Sequence, residues 1–360
     1  MKYLFILGRN IELSVLEVES YLKRIGNPAL EKSLNKNGLL VEITNPIEEK
    51  AVDSLGGILS IGKVLGEMNE IEKVMIYSGE KNNFNYTLWE FSENVEEFRE
   101  YLKQRFKEEK LKAGYKGLTD KISEQNGNDF LIPSAKLINE EYFIFGDYFG
   151  KVIQKCNYDE IEKRDMKKPV RRESLAISPR LSKIMVNLSG IKTGKLLDTF
   201  CGVGTILQEA LLQDFEVVGV DRDEIAIKGA KENLKWFEFP EEDYTLINFD
   251  STKVNIPECS VMVSEPDLGD TLKKIPTRER AEETLRKFEK LMIQVINNVK
   301  EKISGRIVFT TPHIRIGKKR LVCDIEKICE DTGYKLVGKG IPEFRGNQVV
   351  GRMIFVLERN

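Results

Sequence analysis

The stretch Leu196-Leu-Asp-Thr-Phe-Cys-Gly-Val-Gly-Thr205 limits what this chain can fold into more than any other. Leu196 and Leu197 supply the end of an apolar strand and Asp198 closes it, while Gly202 and Gly204 let the backbone approach a ligand where a Cβ would clash. The following Thr205-Ile-Leu-Gln-Glu-Ala-Leu-Leu212 is rich in helix formers, so the turn runs straight into a helix. Strand, glycine turn and helix in that order predict an α/β sheet with a ligand cradle beyond its strand tips.

The downstream apolar runs narrow the ligand. Glu216-Val-Val-Gly-Val-Asp221 is a second apolar run ending in an acid, placed where a doubly wound sheet offers a carboxylate to two ribose hydroxyls. A nicotinamide dinucleotide would share that acid but want a third glycine, and Leu207 stands three residues after Gly204. Asp198, ahead of the glycines, would repel a pyrophosphate and suits a positively charged amino-acid moiety. S-adenosylmethionine (SAM) carries an ammonium and a sulfonium, so the cradle favours SAM. Thr245-Leu-Ile-Asn-Phe-Asp250 is a third strand ending in an acid, able to accept from an adenine amino group, with Ser251 next to it. Ser260-Val-Met-Val-Ser264 is a fourth and leads into Glu265-Pro266-Asp267-Leu268-Gly269. The four acids Asp198, Asp221, Asp250 and Glu265 therefore belong at the carboxyl ends of parallel strands, where open α/β sheets bind ligands.

These segments, with Lys168-Pro169, Ser178-Pro-Arg-Leu-Ser-Lys-Ile-Met-Val-Asn-Leu188, Ala230-Lys-Glu-Asn-Leu234 and Gly351-Arg-Met-Ile-Phe-Val-Leu-Glu-Arg359, resemble the SAM-dependent methyltransferases that modify exocyclic amino groups. Along its whole length the chain is similar to archaeal-type tRNA guanine-N2 methyltransferases of the position-10 family, strongly in the C-terminal half and weakly before residue 160. The resemblance implies a Rossmann-like seven-stranded SAM methyltransferase sheet with a reversed final strand over 177–360. It also implies N-terminal α+β modules: a ferredoxin-like one over 1–66, which the order of apolar runs also suggests, and a THUMP-like RNA-binding domain over 67–156. A basic linker, 157–176, joins them to the sheet. The implied cofactor set is Ser178, Asp198, Phe200, Cys201, Gly202, Gly204, Thr205, Asp221, Arg222, Asp250 and Ser251 around SAM. Implied partners are tRNA and, as for some relatives, a small zinc-containing activator subunit.

In the family the catalytic motif is Asp or Asn, Pro, Pro and an aromatic, whereas this chain has Glu265, Pro266, Asp267 and Leu268. Guanine N2 is a poor nucleophile because its lone pair is delocalised, so a catalyst must hold it with acceptors and align it with the sulfonium methyl. Glu265 and the Pro266 carbonyl are the counterparts of those acceptors. Asp267 sets a second acid beside the first, an arrangement that raises one carboxyl's pKa and makes a proton acceptor. Leu268 stands where the family's aromatic stacks on the base. An inactive SAM- and RNA-binding relative and an adenine-N6 methyltransferase are the competing expectations.

Charge is informative only locally. The net charge is -2, yet residues 151–200 hold twelve Lys or Arg against six Asp or Glu, and residues 201–250 hold four against twelve. Lys163, Arg164, Lys167, Lys168, Arg171 and Arg172 fall within ten residues, and Lys167, Lys168, Arg171 and Arg172 are candidates for RNA phosphates. The long charged helix expected over 93–112 mixes both signs and reads as a solvated face. Five cysteines without a Cys-x-x-Cys pair, and one histidine, argue against zinc. His313 reads as a loop-end surface residue, and 345–352 as a polar loop near substrate. No apolar run approaches the ~20 residues of a membrane span, and the first apolar run leads into Arg9-Asn10 without a cleavage site, so a cytoplasmic protein is expected.

Overall fold

Apolar strand runs and amphipathic helices are sorted into two sheets in this computed structural model, which describes residues 1–93, 95–125, 127, 129–134, 138–172, 177–269, 274–346 and 348–359. The chain divides into two units. One holds Met1–Val15, Ile25–Asp53 and Gly57–Cys156; the other holds Leu16–Arg24, Ser54–Gly56 and Asn157–Asn360.

The N-terminal stretch contains β1 (Lys2–Leu7), α1 (Ile11–Arg24), β2 (Glu31–Asn35), β3 (Gly38–Glu42), β4 (Ile58–Glu67), β5 (Asn83–Glu90), α2 (Val95–Glu108), β6 (Lys112–Tyr115), β7 (Asp120–Ser123), β8 (Asp129–Ile132), β9 (Glu140–Phe145) and β10 (Tyr148–Lys155). Eight strands form one sheet in the order β2-β3-β1-β4-β10-β9-β5-β6, with β7 and β8 paired separately. The sheet is continuous through β4, which pairs with β1 on one edge and β10 on the other. Phe98, Leu102 and Phe106 of α2 pack with Phe84, Tyr86 and Tyr142 in one core cluster. Opposite-sign neighbours pair along the exposed face of α2, as in Lys103–Glu100 and Arg105–Glu109, which makes it the expected solvated face.

Two local expectations fail here, and one strand goes unannounced. A helix over 46–55 is only a 3-10 turn at Ala51–Ser54. β2 escapes notice because all five of its residues are exposed, so it carries no apolar alternation. The helix expected to reach residue 112 stops at Glu108, and Lys110 takes φ 59°, after which β6 begins.

The C-terminal unit contains α3 (Tyr158–Met166), α4 (Pro179–Leu188), β11 (Gly194–Asp198), α5 (Thr205–Leu211), β12 (Phe215–Asp221), α6 (Glu224–Trp236), β13 (Tyr244–Asn248), β14 (Val261–Ser264), α7 (Arg278–Val299), β15 (Ile307–Ile316), β16 (Lys319–Leu321), α8 (Ile325–Thr332), β17 (Tyr334–Leu336), β18 (Ile341–Glu343) and β19 (Val350–Arg359). Its main sheet runs β13-β12-β11-β14-β15-β19-β17, with β16 on β15 and β18 on β19 as short additions. The five strands from β13 to β15 are parallel, and β19 lies antiparallel to both β15 and β17, the reversed strand the sequence implies. The chain leaves β11 toward β12 and later returns to its other side as β14. That reversal is a topological switch point, where such sheets open a crevice.

The stretch taken as a connector is largely helical. Asn157 caps α3 by accepting from the Glu160 amide at 3.2 Å, and the helix has acids in its first turn and Lys163 and Arg164 in its last, each sign at the end the helix dipole favours. No residue of α3 is buried, so no apolar stripe announces it. Arg164 reaches Glu209 of α5, which is 0% exposed, at 2.9 Å, with Lys183 of α4 4.0 Å away. The end of that stretch, 173–176, lies outside the described residues.

Candidate functional site

At the switch point the tips of β11, β12 and β14 open onto a cavity of about 460 Å³. Of the eleven expected cofactor residues, nine line it: Asp198, Phe200, Cys201, Gly202, Thr205, Asp221, Arg222, Asp250 and Ser251, while Gly204 shapes the turn without lining the cavity. Gly204 caps α5 at φ 86°, and a Cβ there would come 3.3 Å from the Ala230 Cβ. Gly202 has φ 52° and only open space where a Cβ would stand, so its backbone faces the cavity bare. Ser178 also stands outside the lining. It is exposed, its hydroxyl accepts from the Leu181 amide at 3.2 Å to cap α4, and its neighbour Ile177 lines the cavity instead.

Asp198 is 1% exposed. Its Oδ1 accepts from the Ser264 hydroxyl at 2.6 Å and the Phe200 amide at 3.1 Å, while Oδ2 has no hydrogen-bond partner among the described residues. Burial pushes its carboxyl up to about 7, the nearby Asp221 and Glu265 charges adding to the rise while the two hydrogen bonds oppose it. Asp221 accepts from the Gly202 amide and the Asp223 amide, both at 2.9 Å, which ties the β12 tip to the glycine turn. Asp250 is exposed and accepts from the Thr252 amide and hydroxyl, bonds that hold its carboxyl below the usual range. Ser251 is buried and spends its hydroxyl on the Thr199 carbonyl. Cys201 is a buried wall residue, and burial pushes its thiol up.

Among the described residues one acid on this side, Asp223, is paired with a base, Arg172. Among the described residues none of Asp198, Asp221 and Asp250 is in an ion pair, and Arg222 lies exposed at the rim. A negative cavity with one orphaned carboxylate oxygen and a bare glycine turn fits a cationic ligand with an amino-acid end, as SAM is.

The opposite wall is built differently. Glu265 follows β14, and its carboxylate is gripped by Arg352 of β19, Nε donating to Oε2 and Nη2 to Oε1, each at 2.7 Å. The Thr310 hydroxyl adds a longer bond to Oε2 at 3.5 Å. The two side chains are 8% and 18% exposed. Burial alone would lower the Arg352 guanidinium, yet the Glu265 charge and hydrogen bonds carry it above its usual range. Pro266 is buried and Leu268 half-buried against the core of the sheet, and both line the cavity.

The expected pairing of Glu265 with Asp267 is not what forms. Asp267 is exposed, and its Oδ1 accepts from the Gly269 amide at 3.0 Å, closing its own turn. Asp and Asn readily bond the backbone two residues on, and here that local bond takes the carboxylate.

The basic run is also partly withdrawn from any ligand. Lys168 is 4% exposed, donates to the Thr205 hydroxyl at 2.9 Å and has its ammonium pushed down by burial, so it is no phosphate contact. Arg172 lines the cavity but gives its guanidinium to Asp223 at 2.6 Å. Arg171 is half-buried, while Lys167 stays exposed.

His313 corrects another expectation. It lies within β15, buried, its ring set edge-on against Phe344 at 5.4 Å and pushed down to about 4 by burial and then by Arg320. Arg320 donates to the carbonyls of His313, Gln348 and Val349 and stacks over Phe344, fixing the backbone of the rim where Gln348, Val349 and Val350 line the cavity. Residue 347 of that expected polar loop lies outside the described residues. The residue sequence reasoning missed is Arg352, which it left inside the polar stretch without a partner. Nothing local marks it, because its partner is 87 positions away.

Comparison with known proteins agrees with this architecture. Residues 168–321 match a family model described as the RMKL-like methyltransferase domain. The chain is similar to a tRNA (guanine(10)-N2)-dimethyltransferase of Methanothermobacter thermautotrophicus, 34% identical over 140 residues, covering 38% of this chain and 39% of that protein. It is also similar to one of Pyrococcus abyssi, 26% identical over 215 residues, covering 59% and 58%. The chain thus spans between about two fifths and three fifths of the length of these curated relatives. Among solved structures, TrmN from Thermus thermophilus superposes with a TM-score of 0.53 at 13% identity over all of both chains, a likeness of fold. The C-terminal unit has the doubly wound sheet of the SAM methyltransferases.

Proposed function

We propose that the chain transfers a methyl group from SAM to the exocyclic N2 of a guanosine in tRNA, at position 10 as in the names of its relatives. The observation that carries the reading is the cavity at the switch point, where Asp198 Oδ2 has no hydrogen-bond partner and Asp198, Asp221 and Asp250 are in no ion pair among the described residues. When bound, SAM supplies an electrophilic methyl on a sulfonium.

The chain's own residues then have separable tasks. Asp198 receives the ammonium, and the turn at Gly202 and Gly204 admits the amino-acid end without steric conflict. Asp221 accepts from the ribose hydroxyls and Asp250 from the adenine amino group, with Phe200, Cys201, Thr205, Arg222 and Ser251 as surrounding wall. Glu265 Oε1 and the Pro266 carbonyl accept from the target amino group, favouring a pyramidal nitrogen and stabilising the positive charge that grows on it. A base inside a stem must first leave its stack, at a cost of a few kcal/mol. We assign that binding energy to the THUMP-like segment 67–156 and to the exposed Lys167. A cytoplasmic setting and a small zinc-containing activator subunit follow from the same resemblance. Among the described residues no helix is long and apolar enough to cross a membrane.

The test is incubation of the full chain with tRNA and methyl-labelled SAM, followed by mass analysis of nucleosides. N2-methylguanosine or its dimethyl form supports the reading. N6-methyladenosine would move the activity to adenine. No product would leave a binding protein.

A further inference from the structure

We propose that Arg352 is the positioning residue of the transfer step, fixing the Glu265 side chain so that Oε1 stays presented to the target amino group. The proposal rests on the methyl-transfer reading of the site. Three features carry it. The Nε and Nη2 donors hold both carboxylate oxygens in parallel, which fixes the plane of the carboxylate as a single-point contact does not. Oε2 receives two donors, Arg352 Nε and Thr310 Oγ1, whereas Oε1 receives one among the described residues and keeps a lone pair free. Arg352 itself is seated by the sheet: it stands opposite Pro312 of β15 and opposite Glu343 of β18, so its backbone is fixed on both edges.

A glutamate arm has one more rotatable bond than an aspartate arm and would otherwise sample several rotamers in the cavity. With the guanidinium in place the carboxylate has one orientation, and the pair presents an acceptor without adding net charge. Glu265 and Arg352 therefore act as a unit, and shortening the acid disrupts it as surely as removing the base. Among the charged groups near the pair, Asp198 of β11 and Glu343 of β18 stay outside the bidentate contact.

The experiment measures single-turnover methyl transfer to tRNA by the full chain, with SAM affinity by calorimetry and thermal stability alongside. Arg352→Ala is expected to slow transfer about 100-fold, the usual cost of a misplaced reacting group, with SAM affinity within about threefold of wild type. Arg352→Lys keeps the charge but loses the parallel contact, and should recover part of the rate. Glu265→Asp should also slow transfer, because the shorter arm cannot keep both bonds. Wild-type transfer by Arg352→Ala or Arg352→Lys overturns the proposal, as does a parallel loss of SAM affinity, which marks a merely structural role. If Arg352→Ala does not fold, the lysine variant decides on the same criteria. Absence of product from the wild-type chain overturns the methyl-transfer reading and this proposal together, whereas product from the wild type with an unchanged Arg352 variant overturns this proposal alone.

Discussion

The two walls of the cavity handle carboxylates in opposite ways. On the side of β11, β12 and β13, Asp198, Asp221 and Asp250 are held by backbone amides and hydroxyls and are in no ion pair among the described residues, whereas across the cavity Glu265 is matched by a guanidinium. A carboxylate bonded only by neutral donors keeps its charge available, so the first wall is completed by a ligand that brings positive charge. On the second wall the charge of Glu265 is already matched by Arg352, and what its carboxylate offers is direction. One cavity thus holds the same functional group in two electrostatic settings.

The strongest way to break this contrast is to remove the charge from the first wall. Asp198→Asn should weaken SAM binding about 100-fold by calorimetry, since a buried charge-assisted contact is lost. Because burial raises the folded-state pKa of Asp198 to about 7, SAM affinity of the wild type should climb as pH rises toward and through 7, and the climb should vanish in the variant. Stability without SAM has the opposite slope. The unfolded carboxyl titrates at about 4, so between about pH 4 and 7 the folded state holds the extra proton, and stability falls as pH rises through that window. Denaturant unfolding at pH 5 and pH 8 should show the wild type losing a few kcal/mol relative to Asp198→Asn. Equal slopes for both proteins would place Asp198 in solvent contact and remove burial as the cause of its shift.

The edge of the first wall is sharpened by two adjacent lysines. Lys168→Met should lower thermal stability, through the lost bond to Thr205, while leaving tRNA affinity unchanged. Lys167→Ala should do the reverse, weakening tRNA binding a few-fold and reducing its salt slope by about one. If both variants weaken tRNA binding alike, the buried lysine is not confined to the wall. The smallest effect belongs to the second wall. Leu268→Phe should lower the KM for tRNA about threefold by adding a stacking face, with SAM affinity unmoved. A shift in SAM affinity would show that the two walls are not independent.

How much of the site is legible in the sequence depends on where the partner lies. Strand-end acids are readable because a strand ending in an acid puts that acid at a parallel sheet's rim, and all four line one cavity. The reversed strand β19 is legible only through the resemblance, and Ser178, expected at the cofactor, caps α4 instead. Elements without a buried face, β2 and α3, leave no periodic trace. His313 is misread because Pro312 signals a break, yet β15 continues to Ile316. β14 pairs with β15 only as far as Phe309, so a strand position beyond it can do without an amide donor. The fate of Asp267 is a contest between a neighbour in the motif and a backbone amide two residues on, and the sequence does not rank them.

The ion pair between Arg164 and the fully buried Glu209 bears on how the molecule can be dissected. Cutting at residue 177, where the apolar pattern of the sheet begins, strips a carboxylate of its principal cation and leaves Lys183 at 4.0 Å to shield it. A fragment begun at residue 157 retains the helix and its arginine. Recombinant pieces divided at the first position should precipitate or melt early through an electrostatic fault, with every catalytic group still present.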